Sequence, residues 1–166
     1  FFEVGEVKYM IINLDFGATD DVLAWVDDIL EANPDRRAII VTHGFMNRDG
    51  TPLSRNDYAS PNKYNEAWNS GDDMWEKCFS KHENVLMVLS GHDPWQHIVY
   101  RQDKGLKGNT VTQMLIDAQY VDLNIGSAAM VAMFYFSADG KTLTVRYYSV
   151  EKDCYGSELS QFTIKL

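Results

Sequence analysis

Two histidines and one aspartate carry the chemistry this sequence offers. His43 follows the run Arg37-Ala38-Ile39-Ile40-Val41-Thr42, and His92 follows Asn84-Val85-Leu86-Met87-Val88-Leu89-Ser90-Gly91. An imidazole can hold a metal ion or move a proton near neutral pH, and Asp93 adds a carboxylate beside the second ring. A glycine flanks each histidine, Gly44 after the first and Gly91 before the second; it lets the backbone turn sharply and approach a ligand. A histidine alone at a strand end is most often a hydrogen-bonded structural residue. The repetition of the placement on a second strand is what makes a site hypothesis.

Both runs are apolar along most of their length, which suits strands of a parallel sheet covered on both faces. In open α/β sheets, ligands collect just beyond the carboxyl ends of the strands. Adjacent strands lie about 4.8 Å apart, so rings from neighbouring strand ends can share one ion held about 2 Å from each nitrogen.

The surrounding elements must deliver those strand ends together. Residues 7–14 read as a strand, Thr19-Asp20-Asp21 as an N-cap with acidic residues suited to a helix start, and the helix runs to about Ala32. Val22, Leu23, Trp25, Val26, Ile29 and Leu30 recur at helical spacing, with Asp27, Asp28 and Glu31 facing water. Asn33-Pro34-Asp35 ends it, and strand 37–42 follows, an order that predicts a parallel crossover. Residues 44–71 have the composition of turns and read as a long polar loop leaving from His43. Asp49, Asn56, Asp57 and Tyr58 in it could touch a substrate, with a solvated loop as the plainer reading.

A second helix opens at Ser70-Gly71-Asp72-Asp73, presents Met74, Trp75, Cys78 and Phe79 on one face, and ends near Lys81-His82 before strand 84–90. His82 reads as structural, at a helix end that favours positive charge. Beyond His92 the sequence turns β-rich, with strands over 95–102, 111–119, 130–137, 141–150 and 160–166 and a hairpin at Ala138-Asp139-Gly140. His97 would lie mid-strand. Trp68, Trp75 and Trp95 read as core aromatics that could also line a pocket. The fold class is therefore α/β, becoming α+β toward the carboxyl terminus, in one domain over residues 1–166.

Composition narrows the function classes. A formal net charge of -9 with no clustered Lys and Arg argues against nucleic acid as the specific partner. A phosphorylated substrate remains compatible if a bound cation supplies the positive charge. No apolar run is long enough for a membrane span. Cys78 and Cys154 form no Cys-x-x-Cys pair and read as unpaired, partly buried thiols, Cys78 in a helix and Cys154 in a late loop; one disulfide between them stays open.

The isolated histidine of Val41-Thr42-His43 and the motif Gly91-His92-Asp93-Pro94 resemble the last two motifs of the calcineurin-like metallophosphoesterases of bacterial type. Ala24-Trp25, Asn33-Pro34-Asp35-Arg36-Arg37 and the stretch 110–119 carry the likeness over most of the chain. The resemblance implies a four-layer α/β/β/α sandwich, partly parallel and then antiparallel. It also implies two divalent metal ions of the Zn, Fe, Mn or Co type, a phosphomono- or phosphodiester substrate, and a secreted or cell-envelope location. By it, His43 and His92 are ligands of one metal, and His92 with Asp93 serves catalysis.

The chain departs from the family pattern in two ways. Pro94 stands where the final motif has a second histidine, a place Asp93 or His97 would have to fill. The earlier motifs Asp-x-His, Gly-Asp-x-x-Asp and Gly-Asn-His-Asp/Glu are missing, Gly71-Asp72-Asp73 and Gly108-Asn109-Thr110 being lookalikes in the wrong context. Two expectations follow. The chain is the carboxyl-terminal half of a larger phosphoesterase domain, inactive by itself; alternatively, it is a phosphoesterase-like binding or scaffolding module that has lost catalysis.

Overall fold

A computed structural model describes residues 1–119 and 129–166. Its centre is a six-stranded sheet built from β1 (Phe2–Val4), β2 (Val7–Asn13), β3 (Arg37–Val41), β4 (Val85–Ser90), β5 (Val99–Lys104) and β6 (Thr110–Leu115), in the order β1-β2-β3-β4-β6-β5. The inner pairs β2/β3, β3/β4 and β4/β6 are parallel; the two edge strands run antiparallel to their neighbours. This arrangement follows from the sequence pattern. The runs of β3 and β4 are apolar on both sides because both of their faces are covered, and β5, at an edge, alternates half-buried with exposed residues.

One face carries α1 (Asp20–Ala32) and α2 (Gly71–Lys77). Leu23, Val26 and Leu30 of α1 and Met74 of α2 pack with Met10, Ile12, Ala38, Ile40, Val85 and Val88 of the sheet. The opposite face meets a second, antiparallel sheet made from β7 (Met130–Phe136), β8 (Thr142–Ser149), β9 (Cys154–Tyr155) and β10 (Phe162–Lys165). There Leu143, Val145, Tyr147 and Ile164 close over Tyr9, Ile39, Met87 and Met114. The described residues thus form three layers, helix, sheet and sheet. Among them no α-helix lies beyond β6, so the outer fourth layer is not among the described elements. No described helix is long and apolar enough to cross a membrane.

Several local expectations need correction. Trp25 is about half exposed rather than part of the apolar stripe, and Asp27, expected in water, is half-buried. Thr19 is the N-cap of α1, but its hydroxyl donates to the Asp21 carboxylate instead of capping the backbone. The second helix ends at Lys77, and a short 3-10 turn, Phe79–Lys81, completes the approach to His82. Strand β5 starts at Val99 and not at residue 95, because the chain bends at Gln96 and His97; His97 therefore precedes the strand. β6 ends at Leu115. Cys154 lies in β9 and is exposed, whereas Cys78 is buried; both thiols are free.

The long segment after β3 is not a solvated polar loop. Phe45, Met46 and Leu53 are fully buried, and Met46 bridges Pro52. Leu53 donates its backbone N–H to Phe45 O at 2.8 Å, and Asp72 donates to Leu53 O at 3.0 Å, stitching the segment to the start of α2. Ser70 and Asp73 close that start as a reciprocal capping box.

Candidate functional site

His43 and His92 leave the carboxyl ends of β3 and β4, which are adjacent and parallel. The two ends are tied together by the Gly91 N–H, which donates to the His43 carbonyl at 3.0 Å. His92 has φ 71°, a left-handed conformation uncommon for a residue with a side chain. With the turn made there, His92 Nδ1 stands 3.1 Å from His43 Nε2, and the ring centroids are 4.8 Å apart. The two imidazoles therefore converge at one edge of one sheet.

That spacing fits a shared ion. Two nitrogens bound at about 2.05 Å with an angle between about 90° and 110° stand about 2.9 to 3.4 Å apart. The pair also fits a direct hydrogen bond between the rings, one nitrogen donating. Burial, followed by the neighbouring His43, pushes the His92 pKa below its ordinary value. A neutral ring is the ligating form. On the far side of His92, Nε2 is 3.3 Å from the Tyr64 hydroxyl, a partner that would hold the hydrogen while Nδ1 faces His43.

Aromatic rings flank the pair on one side, leaving His43 exposed and His92 half-buried. The Phe16 ring lies 4.4 Å from that of His92 and 5.1 Å from that of His43, and it is packed in turn against Tyr64 and Trp68. Phe16 also occupies the space that a side chain at Gly44 would need, its ring coming within 2.6 Å of a Cβ there. A side chain at Gly44 would therefore force the Phe16 ring to shift.

Asp93 is placed differently from the histidines. It is only 7% exposed, and its carboxylate is turned to Arg48. Arg48 donates from Nε at 3.0 Å and 3.2 Å, from Nη2, and from its backbone N–H at 2.9 Å. The guanidinium also lies over the Trp95 ring, 5.4 Å from its centroid. A cavity of about 460 Å³ beside His92 is walled by Arg48, Tyr58, Tyr64, Asp93 and Trp95. Of the loop residues singled out from sequence, Tyr58 reaches this cavity. Asp57 instead accepts from the Ser54 N–H in its own turn and from the Asn47 side chain, and Asp49 from Thr51.

Around the histidine pair, no group of three His, Cys, Asp or Glu ligand atoms forms among the described residues. One such group stands elsewhere: Asp27, Cys78 and His82 have ligand atoms within 4.8 Å of one another and could hold a metal ion. The expectation of a structural His82 and a solvent-facing Asp27 does not anticipate this group. The signal that could have found them is the four-residue spacing of Cys78 and His82, which a helical approach places on one side. Phe16, Tyr64 and Arg48 had no sequence signal, since they reach the site from separate segments.

No family model matches the chain. Among curated proteins, it is 28% identical over 117 residues to the uncharacterized protein YvnB of Bacillus subtilis (strain 168), an alignment that covers 67% of this chain and 8% of that protein. The chain thus spans less than a tenth of that relative's length.

Proposed function

We propose that His43 and His92 are ligands of one ion in a binuclear metal centre of the calcineurin-like phosphoesterase type, acting on phosphomono- or phosphodiesters in a longer protein. The observation that carries the reading is the 3.1 Å approach of two ring nitrogens at the carboxyl edge of adjacent parallel strands. Such a centre polarises the phosphoryl oxygens and supplies an activated water. Two side-chain ligands are too few to hold it, so the remaining ligands and the outer layer of the four-layer sandwich come from residues beyond those described. In this arrangement His92 presents Nδ1 to the ion while Tyr64 fixes its orientation. Asp93 sets the Arg48 guanidinium beside the substrate rather than binding metal itself, and Phe16 packs against both rings on one side while His43 stays open to solvent.

The test uses the full-length protein. Metal content and hydrolysis of mono- and diester substrates are measured for the parent and for His43→Ala and His92→Ala variants. Each substitution is expected to lower the bound metal and reduce kcat by at least about 100-fold, while the 166-residue chain alone hydrolyses neither substrate. Metal-dependent turnover by this chain alone, or full activity in the variants, overturns the reading.

A second reading is a module that binds without catalysis. It is favoured by Pro94, whose side chain offers no ligand, and by the commitment of the Asp93 carboxylate to Arg48. A full-length protein that binds a phosphate ester but shows no turnover with any of the four candidate metals would select it.

A further inference from the structure

Asp27, Cys78 and His82 converge from two elements that are far apart in sequence. Asp27 lies in the second half of α1, Cys78 caps the end of α2, and His82 follows the 3-10 turn. His82 Nε2 is 2.7 Å from Asp27 Oδ1, and the Cys78 sulfur completes a set whose atoms all lie within 4.8 Å of one another. Cys78 is fully buried, while Asp27 and His82 line a cleft of about 850 Å³. The set therefore has a closed sulfur side and an open side reached by water. The backbone around His82 is held from β4 and from the turn before β6, because its carbonyl accepts from Val85 N–H and from the Asn109 side chain.

We propose that this triad is a second metal site, for a borderline-soft divalent ion of the zinc class. One thiolate, one imidazole and one carboxylate, with water from the cleft in the fourth position, form a ligand set that Zn²⁺ accepts in tetrahedral geometry. A sulfur and an imidazole ligand disfavour Mg²⁺ and Ca²⁺, which take oxygen. On loading, the Cys78 S–H bond breaks, the proton leaves to solvent, and the sulfur–metal bond forms; the hydrogen that His82 Nε2 donates to Asp27 passes through solvent to Nδ1, which frees the Nε2 lone pair for the ion. The thiolate and the carboxylate then neutralise the ion, and the direct His82–Asp27 contact is replaced by two bonds to metal.

The site is independent of the histidine pair. His82 precedes β4 and His92 follows it, so a six-residue strand, about 20 Å long, separates them. No single ion can serve both. A metal here would fasten the carboxyl half of α1 to the approach of β4, at the opposite edge of the sheet from His43.

Cobalt is the probe, because a thiolate bound to Co²⁺ gives a near-ultraviolet charge-transfer band that imidazole and carboxylate do not. The 166-residue chain is used with Cys154→Ser, which removes the only other cysteine, an exposed one. The band is expected to saturate at one equivalent of Co²⁺, to be displaced by Zn²⁺, and to persist when His43 and His92 are replaced by alanine. His82→Ala is expected to weaken binding at least about tenfold. Absence of the band in the Cys154→Ser protein overturns the proposal, as does its loss on removing His43 and His92 or unchanged affinity in His82→Ala.

Discussion

At the scale of single residues, the site is organised by what each side chain is already bound to. His43 and His92 face each other, and the position of Asp93 is explained by Arg48. The Asp93 carboxylate is nearly buried, so its negative charge must be answered in place. Arg48→Ala would leave it with one backbone donor and should lower the urea midpoint of unfolding. Arg48→Lys should recover little of this, since an ammonium cannot reproduce the two-pronged contact. Urea unfolding of the two variants checks the difference, and full recovery by lysine would show that charge alone is needed. The histidine pair was legible in the sequence because each ring ends an apolar strand. The Arg48–Asp93 pair was not, because a contact across 45 positions leaves no local pattern.

At the scale of elements, legibility followed periodicity. β3, β4 and α1 were readable because burial on two faces writes a continuous apolar run and burial on one helical face writes a stripe. The segment between β3 and α2 leaves no such pattern, because its three buried anchors, Phe45, Met46 and Leu53, are spaced by no regular period among polar turn residues. The joint between this segment and α2 is where the structure is tightest. A Cβ on Gly71 would fall 2.1 Å from Phe45 O and 2.8 Å from Leu53 N, and backbone atoms cannot swing aside. Gly71→Ala should therefore cost about 3 kcal/mol and disturb the chain that leaves His43. Gly108→Ala, where nothing lies within 4 Å but φ is +87°, should cost about 1 kcal/mol from backbone strain alone. Thermal unfolding of both variants separates a clash from a conformational penalty; equal losses would contradict the packing account.

For the whole molecule, the central sheet is shared by two apolar cores, one under the helices and one under the second sheet. The expectation of an α/β half followed by a β-rich half holds at that level, and its physical basis is this division of the two faces. The division also has a direction in time. During synthesis the strands of the six-stranded sheet and both helices are complete once β6 has emerged, so His43 and His92 can meet before β7 is made. Until β7, β8 and β10 arrive, Tyr9, Ile39, Met87 and Met114 lack the cover of the second sheet, and the nascent chain carries a sticky apolar face next to a finished ring pair. A chain stopped at residue 119 should bind a hydrophobic dye strongly and the 166-residue chain weakly; equal binding would mean the face is hidden some other way. The second sheet would then serve the strands made before it as a built-in chaperone, shielding a surface they expose as they leave the ribosome.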